Sequence, residues 1–192
     1  MPRNVVYTIG HSTRSADAFV ALLAAHDVTR LADVRTVPRS RHNPQFNGDD
    51  LGTTLAAHAI EYVRMPGLGG FRRTSADSPN AGWRNASFRG YADYMQTAAF
   101  DENLGTLIAL ANDSTVAIMC AEAVPWRCHR SLIADALTVR DIHVEEIVSE
   151  TKTSLHKLTP FARVDGISIS YPALPLQGGD DAPVRSRGKT GG

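Results

Sequence analysis

Three short apolar runs, NVVYTIG (4–10), RLADVRT (30–36) and IEYVRMP (60–66), are separated by stretches of helical rather than turn-like pattern. In the first gap, SADAFVALLAAHD (15–27) opens on Ser15 as a cap and sets Phe19, Leu22 and Leu23 at helical spacing. The second gap, GDDLGTTLAAHA (48–59), is also helical. Strand–helix–strand repetition leaves few folds open, because parallel strands need crossovers and the crossover helices must cover the sheet. TVAIMC (115–120) is the most apolar run, which places it at the centre of such a sheet. RSLIADALTVRD (130–141) and VEEIVS (144–149) complete the alternation. The expected fold is α/β: a single domain over residues 1–172, with a mostly parallel central sheet of about five strands and helices on both faces.

Two segments depart from this rhythm. Residues 67–90 carry Gly67, Gly69, Gly70, Pro79, Gly82 and Gly90 among arginines and aromatics, and read as a long insert loop. Two helical patterns follow, YADYMQTAAF (91–100) and DENLGTLIALAN (101–112), the second with Asp101 and Glu102 at its positive end. Residues 154–172 read as a short helix followed by an extended segment, and 173–192, rich in Gly, Pro and Ser, as a disordered tail.

Composition narrows the classes. A chain of 192 residues with 43% hydrophobic content can build one real core. Twenty basic residues balance twenty acidic ones, so net charge selects no partner. Two cysteines make no disulfide framework. MPRNVVYTIGHS lacks the layout of a signal peptide, and no apolar run approaches the roughly 18 residues of a membrane span. A cytoplasmic protein with no membrane partner is expected.

In open α/β sheets, ligands bind beyond the carboxyl ends of the strands. Those ends here carry His11 and Ser12, then Asp33 and Arg35 with Arg39 and Ser40 beyond them, and Cys120 with Glu122. Glu122 at the tip of a buried strand must be paired or used, with Arg35 and Arg130 as natural partners. Asp33 and Arg35 can equally satisfy each other. Cys120 reads as a core thiol or a nucleophile; Arg127 falls one residue too far along for a Cys-x5-Arg phosphate loop. Cys128 and His129 are adjacent, which makes joint ligation of one ion difficult, and no second pair at ligand spacing exists. Neither a metal nor another cofactor is expected.

The insert speaks to the substrate. Between residues 35 and 91 there are eight arginines against four acids, interleaved with Phe71, Trp83, Phe88 and Tyr91. Guanidinium groups such as Arg72 and Arg73 suit phosphate, and aromatic faces such as Trp83 suit unstacked bases. A nucleic acid or nucleotide is the expected partner, although a solvated basic loop with inward aromatics has the same composition.

YTIGHS (7–12), DVRTVPRS (33–40), YVRMPGLGG (62–70) and MCAEAVPWRCHRSLIADAL (119–137) together resemble domain of unknown function 488, over roughly residues 5–165. The resemblance implies a compact bacterial or archaeal α/β domain, and base deglycosylation as an activity. It marks His11, Ser12, Asp33, Arg35, Pro38, Ser40, Glu122, Cys128, His129 and Arg130. The expected function is hydrolysis of an N-glycosidic bond in a nucleobase-containing substrate. Glu122 or Asp33 would supply the carboxylate, and His11 or His129 the proton donor. Arginines, Arg130 among them, would hold phosphates. Two other classes stay open: a thiol-dependent redox or transfer enzyme using Cys120 or Cys128, argued against by the lack of a Cys-x-x-Cys resolving pair, and a non-catalytic nucleotide-binding module.

Overall fold

The computed structural model describes residues 5–173, and its first ten regular elements follow the expected alternation. They are β1 (Val5–Gly10), α1 (Ala16–Ala25), β2 (Arg30–Asp33), α2 (Gly48–Ala56), β3 (Glu61–Arg64), α3 (Ala86–Tyr94), α4 (Ala98–Asp113), β4 (Val116–Cys120), α5 (Arg130–Thr138) and β5 (His143–Ser149). Three short strands follow: β6 (Lys152–Leu155), β7 (Arg163–Asp165) and β8 (Ser168–Ser170). The main sheet runs in the order β3-β2-β4-β1-β5-β6, parallel except for β6, which is antiparallel to β5. The α/β expectation holds, with one antiparallel edge strand added. The expected tail lies outside the described residues beyond Ala173.

The sheet divides two cores by the period-two rule of extended backbone. In β4, Val116, Ile118 and Cys120 face one core, and Ala117 and Met119 face the other. α1 and α2 cover the second core with Phe19, Leu23, Leu51 and Leu55. α3, α4 and α5 cover the first with Tyr91, Phe100, Leu104, Leu132 and Ile133. All five residues of β4 are buried, as its composition predicts.

Three expectations of detail are corrected. α3 begins at Ala86, inside the stretch read as loop, because Asn85 caps it: its Oδ1 accepts from the Ser87 and Phe88 amides at 2.8 and 3.4 Å. The break before α4 falls at Thr97, whose side chain accepts from the Phe100 amide at 3.3 Å. Residues 154–172 hold no helix; KTSL pairs with β5, and β7 and β8 form a hairpin turning at Gly166, φ +59°. The apolar spacing in that stretch resembles a helical face, but the open edge of β5 offers backbone partners that an isolated short helix lacks.

The remaining insert is tied to α3. Asp93 accepts from the Ser75 amide, the Ser78 hydroxyl and Asn80 Nδ2 at 2.5–2.8 Å. Tyr91 and Tyr94 donate to the Leu68 and Gly67 carbonyls at 2.9 and 2.6 Å.

Candidate active site

β4 lies between β1 and β2, so the carboxyl ends of these three strands meet, with Gly10 beside Cys120 and Asp33 beside Met119. Pairing continues past the strands: the His11 and Ser12 amides donate to the Cys120 and Ala121 carbonyls at 2.9 and 3.0 Å. This close passage explains Gly10, where any Cβ would overlap the Glu122 carbonyl. A cavity of about 380 Å³ opens at this edge. Its walls include His11, Arg35, Arg39, Ser40, Phe71, Cys120, Glu122, Arg127, Cys128 and His129.

On the β2 side, the buried Arg35 guanidinium is held bidentately by Asp33, with Nε–Oδ1 at 2.9 Å and Nη2–Oδ2 at 2.5 Å. Its Nη2 also donates to the Phe46 carbonyl at 2.8 Å. Tyr62 donates its hydroxyl to Asp33 Oδ2 at 2.6 Å. The remaining guanidinium nitrogen, Nη1, faces His11 Nε2 at 3.3 Å. His11 Nδ1 therefore carries the proton and donates to the Ser12 carbonyl at 2.8 Å. Burial, together with the nearby Arg35 charge, lowers the His11 pKa, and its ring stacks on Phe46 at 4.2 Å. Both carboxylate oxygens of Asp33 and the Nε2 of His11 are thus engaged in fixing Arg35.

The β4 side has a different character. Cys120 and Cys128, eight positions apart, are both buried, with Sγ atoms 2.7 Å from each other. The fully buried Arg130 donates from Nη1 to Cys120 Sγ at 2.8 Å and to the Glu122 carbonyl at 3.0 Å. Its Nη2 reaches Glu146 Oε1 on β5 at 3.0 Å, and Thr8 donates its hydroxyl to the other oxygen of Glu146. The hydrogen bond from Cys128 and the Arg130 charge lower the Cys120 pKa, while the same pairing and burial raise that of Cys128. Burial pushes the His129 pKa down to about 4. Its Nε2 lies 3.1 Å from the Val34 carbonyl and so carries the proton, which leaves Nδ1 an acceptor 3.5 Å from Cys128 Sγ. Gly70 packs on this imidazole; a Cβ there would come within 2.5 Å of Nδ1.

The sequence expectations map unevenly onto this geometry. Glu122 lines the cavity but is exposed, and its carboxylate accepts from the Val124 amide at 3.1 Å and pairs with neither the Arg35 nor the Arg130 side chain. Both arginines are committed elsewhere, so the expectation of a buried, paired Glu122 carboxylate is corrected. Arg39 is exposed at the cavity wall, and Ser40 Oγ accepts from the Asn43 amide at 3.0 Å. Ser12 takes a left-handed turn, φ 52°, beside the site rather than in its wall. Arg72 turns inward, donating to the Gly69 and Gly67 carbonyls and lying over the Tyr94 ring at 3.5 Å. Arg73 is exposed on another face, and Trp83 packs among Phe88, Phe161 and Tyr171. The sequence reading missed Glu146, Tyr62 and Arg127 as parts of the site. A carboxylate inside a β5 run of VEEIVS was the available signal for Glu146.

No helix among the described residues is long and apolar enough to cross a membrane. No three His, Cys, Asp or Glu side chains among them cluster to hold a metal ion. No curated protein and no solved structure matches the chain. The family model described as Domain of unknown function DUF488 matches residues 15–137. That span begins after YTIGHS and takes in the other three blocks, from DVRTVPRS to the thiol and Arg130 segment that closes the cavity. With well over half of its length matched, the chain belongs to the DUF488 family.

Proposed function

We propose that this cavity is the active site of a thiol-dependent enzyme, with the Cys120 thiolate as nucleophile and an anionic, nucleobase-containing molecule as substrate. One observation carries the reading: a buried guanidinium and a second thiol both point at Cys120 Sγ, at 2.8 and 2.7 Å, in the wall of the cavity. Such an arrangement favours the charged sulfur, which is the reactive form. The exposed Arg39 and Arg127 suit a phosphate, and Phe71, 83% exposed, offers a free aromatic face. In a transfer cycle, Cys120 sulfur bonds to an electrophilic carbon while the leaving group departs with the bonding electrons. An acceptor such as water then displaces the sulfur, and its proton leaves with the departed group.

Labelling with methyl methanethiosulfonate, a small thiol reagent, tests this. Cys120 is expected to react in the native protein well below the pH at which free thiols ionise, and mononucleotides are expected to slow it. Labelling that rises only through the ordinary thiol range, unaffected by nucleotides, contradicts the reading.

A second reading keeps the N-glycosidic hydrolase, because Glu122 is a carboxylate in the cavity wall whose Oε1 is oriented by the Val124 amide. Oligonucleotides carrying modified bases, followed by alkaline cleavage, separate the two. Strand breaks lost in Glu122→Gln but kept in Cys120→Ser would replace the thiol mechanism with the hydrolytic one.

A further inference from the structure

We infer that Cys120 and Cys128 form a reversible dithiol–disulfide couple, with a hydroperoxide as oxidant, a small thiol as reductant, and His129 as the base for the second step. The inference goes beyond the proposed transfer chemistry and rests on the pair itself, whatever substrate the cavity takes.

The argument begins with reach. The two Sγ atoms stand 2.7 Å apart, so closing to the roughly 2.05 Å of a covalent bond needs well under about 1 Å of movement. Both cysteines line the cavity, whose volume of about 380 Å³ has room for a small oxidant. The connecting segment is short and turned back by the 3-10 turn Pro125–Arg127, which returns Cys128 to the end of β4. Sequence spacing hides this, since a Cys-x7-Cys pair is not a familiar redox motif.

The two sulfurs are also unequal, which a couple of this kind requires. Cys120 faces the Arg130 guanidinium at 2.8 Å, and that cation is held in place by Glu146 and Thr8. Cys128 keeps its proton and donates toward Cys120. Behind Cys128 lies the acceptor nitrogen of His129, Nδ1, at 3.5 Å, its tautomer fixed by the Val34 carbonyl.

The steps balance. The Cys120 thiolate attacks the distal oxygen of the hydroperoxide; the O–O bond breaks, an alcohol leaves with the peroxide's proton, and the sulfenate left on Cys120 takes a proton from solvent to become a sulfenic acid. Cys128 has then lost its thiolate partner, and its proton passes to His129 Nδ1. The Cys128 sulfur attacks the Cys120 sulfur, the S–S bond forms, and the S–O bond breaks. Hydroxide leaves and takes the proton from His129 as water. Two equivalents of a small thiol restore both cysteines and are oxidised to one disulfide. The oxidised chain has no Cys120 thiolate, so the couple also silences any nucleophilic chemistry at the site.

The test uses the reduced full chain and one equivalent of tert-butyl hydroperoxide, read by intact mass and by peptide mapping without reductant. The expected product has lost two hydrogens and links the peptides of Cys120 and Cys128, and it returns to the dithiol in reduced glutathione. In Cys128→Ser, oxidation is expected to stop at a sulfenic acid trapped by dimedone. In His129→Gln, the first oxidation is expected at the wild-type rate and disulfide closure at least about tenfold slower. A merely structural His129 would alter both steps or neither. Two separate sulfenates, links only between chains, or native protein inert to peroxide while denatured protein reacts would each overturn the couple. The wild-type experiment decides even if a variant misfolds. Nucleotide-sensitive Cys120 labelling without a disulfide would leave the transfer reading standing alone. A disulfide without any such labelling would leave the couple standing alone.

Discussion

At the scale of single residues, Arg130 decides the character of the site. One guanidinium joins the Cys120 sulfur, the Glu122 carbonyl and the Glu146 carboxylate, a fork that an ammonium cannot reproduce. Arg130→Lys is expected to raise the pH at which Cys120 labels by about one unit or more, read by pH-resolved mass labelling. Removing the charge in Arg130→Met leaves Glu146 without its ion partner and is expected to cost about 3–5 kcal/mol in urea unfolding. His129 supplies a stability prediction with a definite sign. Its folded pKa of about 4 lies below the ordinary 6.5, so the unfolded chain binds its proton first as pH falls. The contribution is complete above about 6.5 and is lost between there and about 4. Urea midpoints are expected to fall across that window more steeply in wild type than in His129→Gln; parallel curves would contradict the assignment. Arg130, Cys120, Cys128 and His129 were all legible in the sequence as a cluster of reactive types. Their pairing was not, because a loop of seven residues reveals nothing about where its second thiol returns. Glu146 sits in an apolar strand pattern, and only the neighbouring strand shows that Thr8 and Arg130 receive it.

At the scale of elements, strand ends supply the chemistry and turns decide how closely they approach. The β1 and β4 ends stay paired through Ser12 and Ala121, and this requires a residue without a side chain at Gly10. Gly10→Ala is expected to destabilise the fold by about 2–4 kcal/mol and to disturb Cys120 labelling, since backbone and not a flexible side chain must move. An unchanged unfolding midpoint would show that the loop yields freely. The helices and parallel strands were legible because their apolar periods are long, and at α1 the period agrees with the capping residue Ser15. The start of α4 at Thr97 was not, because the apolar pattern runs on through it. Residues 154–172 were not, since short edge strands take their form from a neighbour rather than from their own pattern. The insert misled for a related reason: Arg72 and Trp83 have the composition of a nucleic-acid surface, yet Arg72 spends its donors on Gly67 and Gly69, and Trp83 joins an aromatic cluster.

Across the whole molecule, sheet order is what assembles the site. With β4 between β2 and β1, residues as distant in sequence as His11, Arg35 and Cys120 reach one cavity, each from a strand end. Sequence reading named these ends but not their order, which long-range packing settles. The same topology divides the cavity into a wall of fixed, hydrogen-bonded groups around Asp33 and Arg35 and a thiol wall around Cys120. The central claim is that the second wall holds a thiolate. Its most direct measurement is a pH titration of thiolate absorbance in wild type, Cys120→Ser and Cys128→Ser under reducing conditions. One thiolate is predicted to appear below the ordinary midpoint of about 8.5, to vanish in Cys120→Ser and to persist in Cys128→Ser. Absorbance rising only at or above that midpoint in all three proteins would contradict the account.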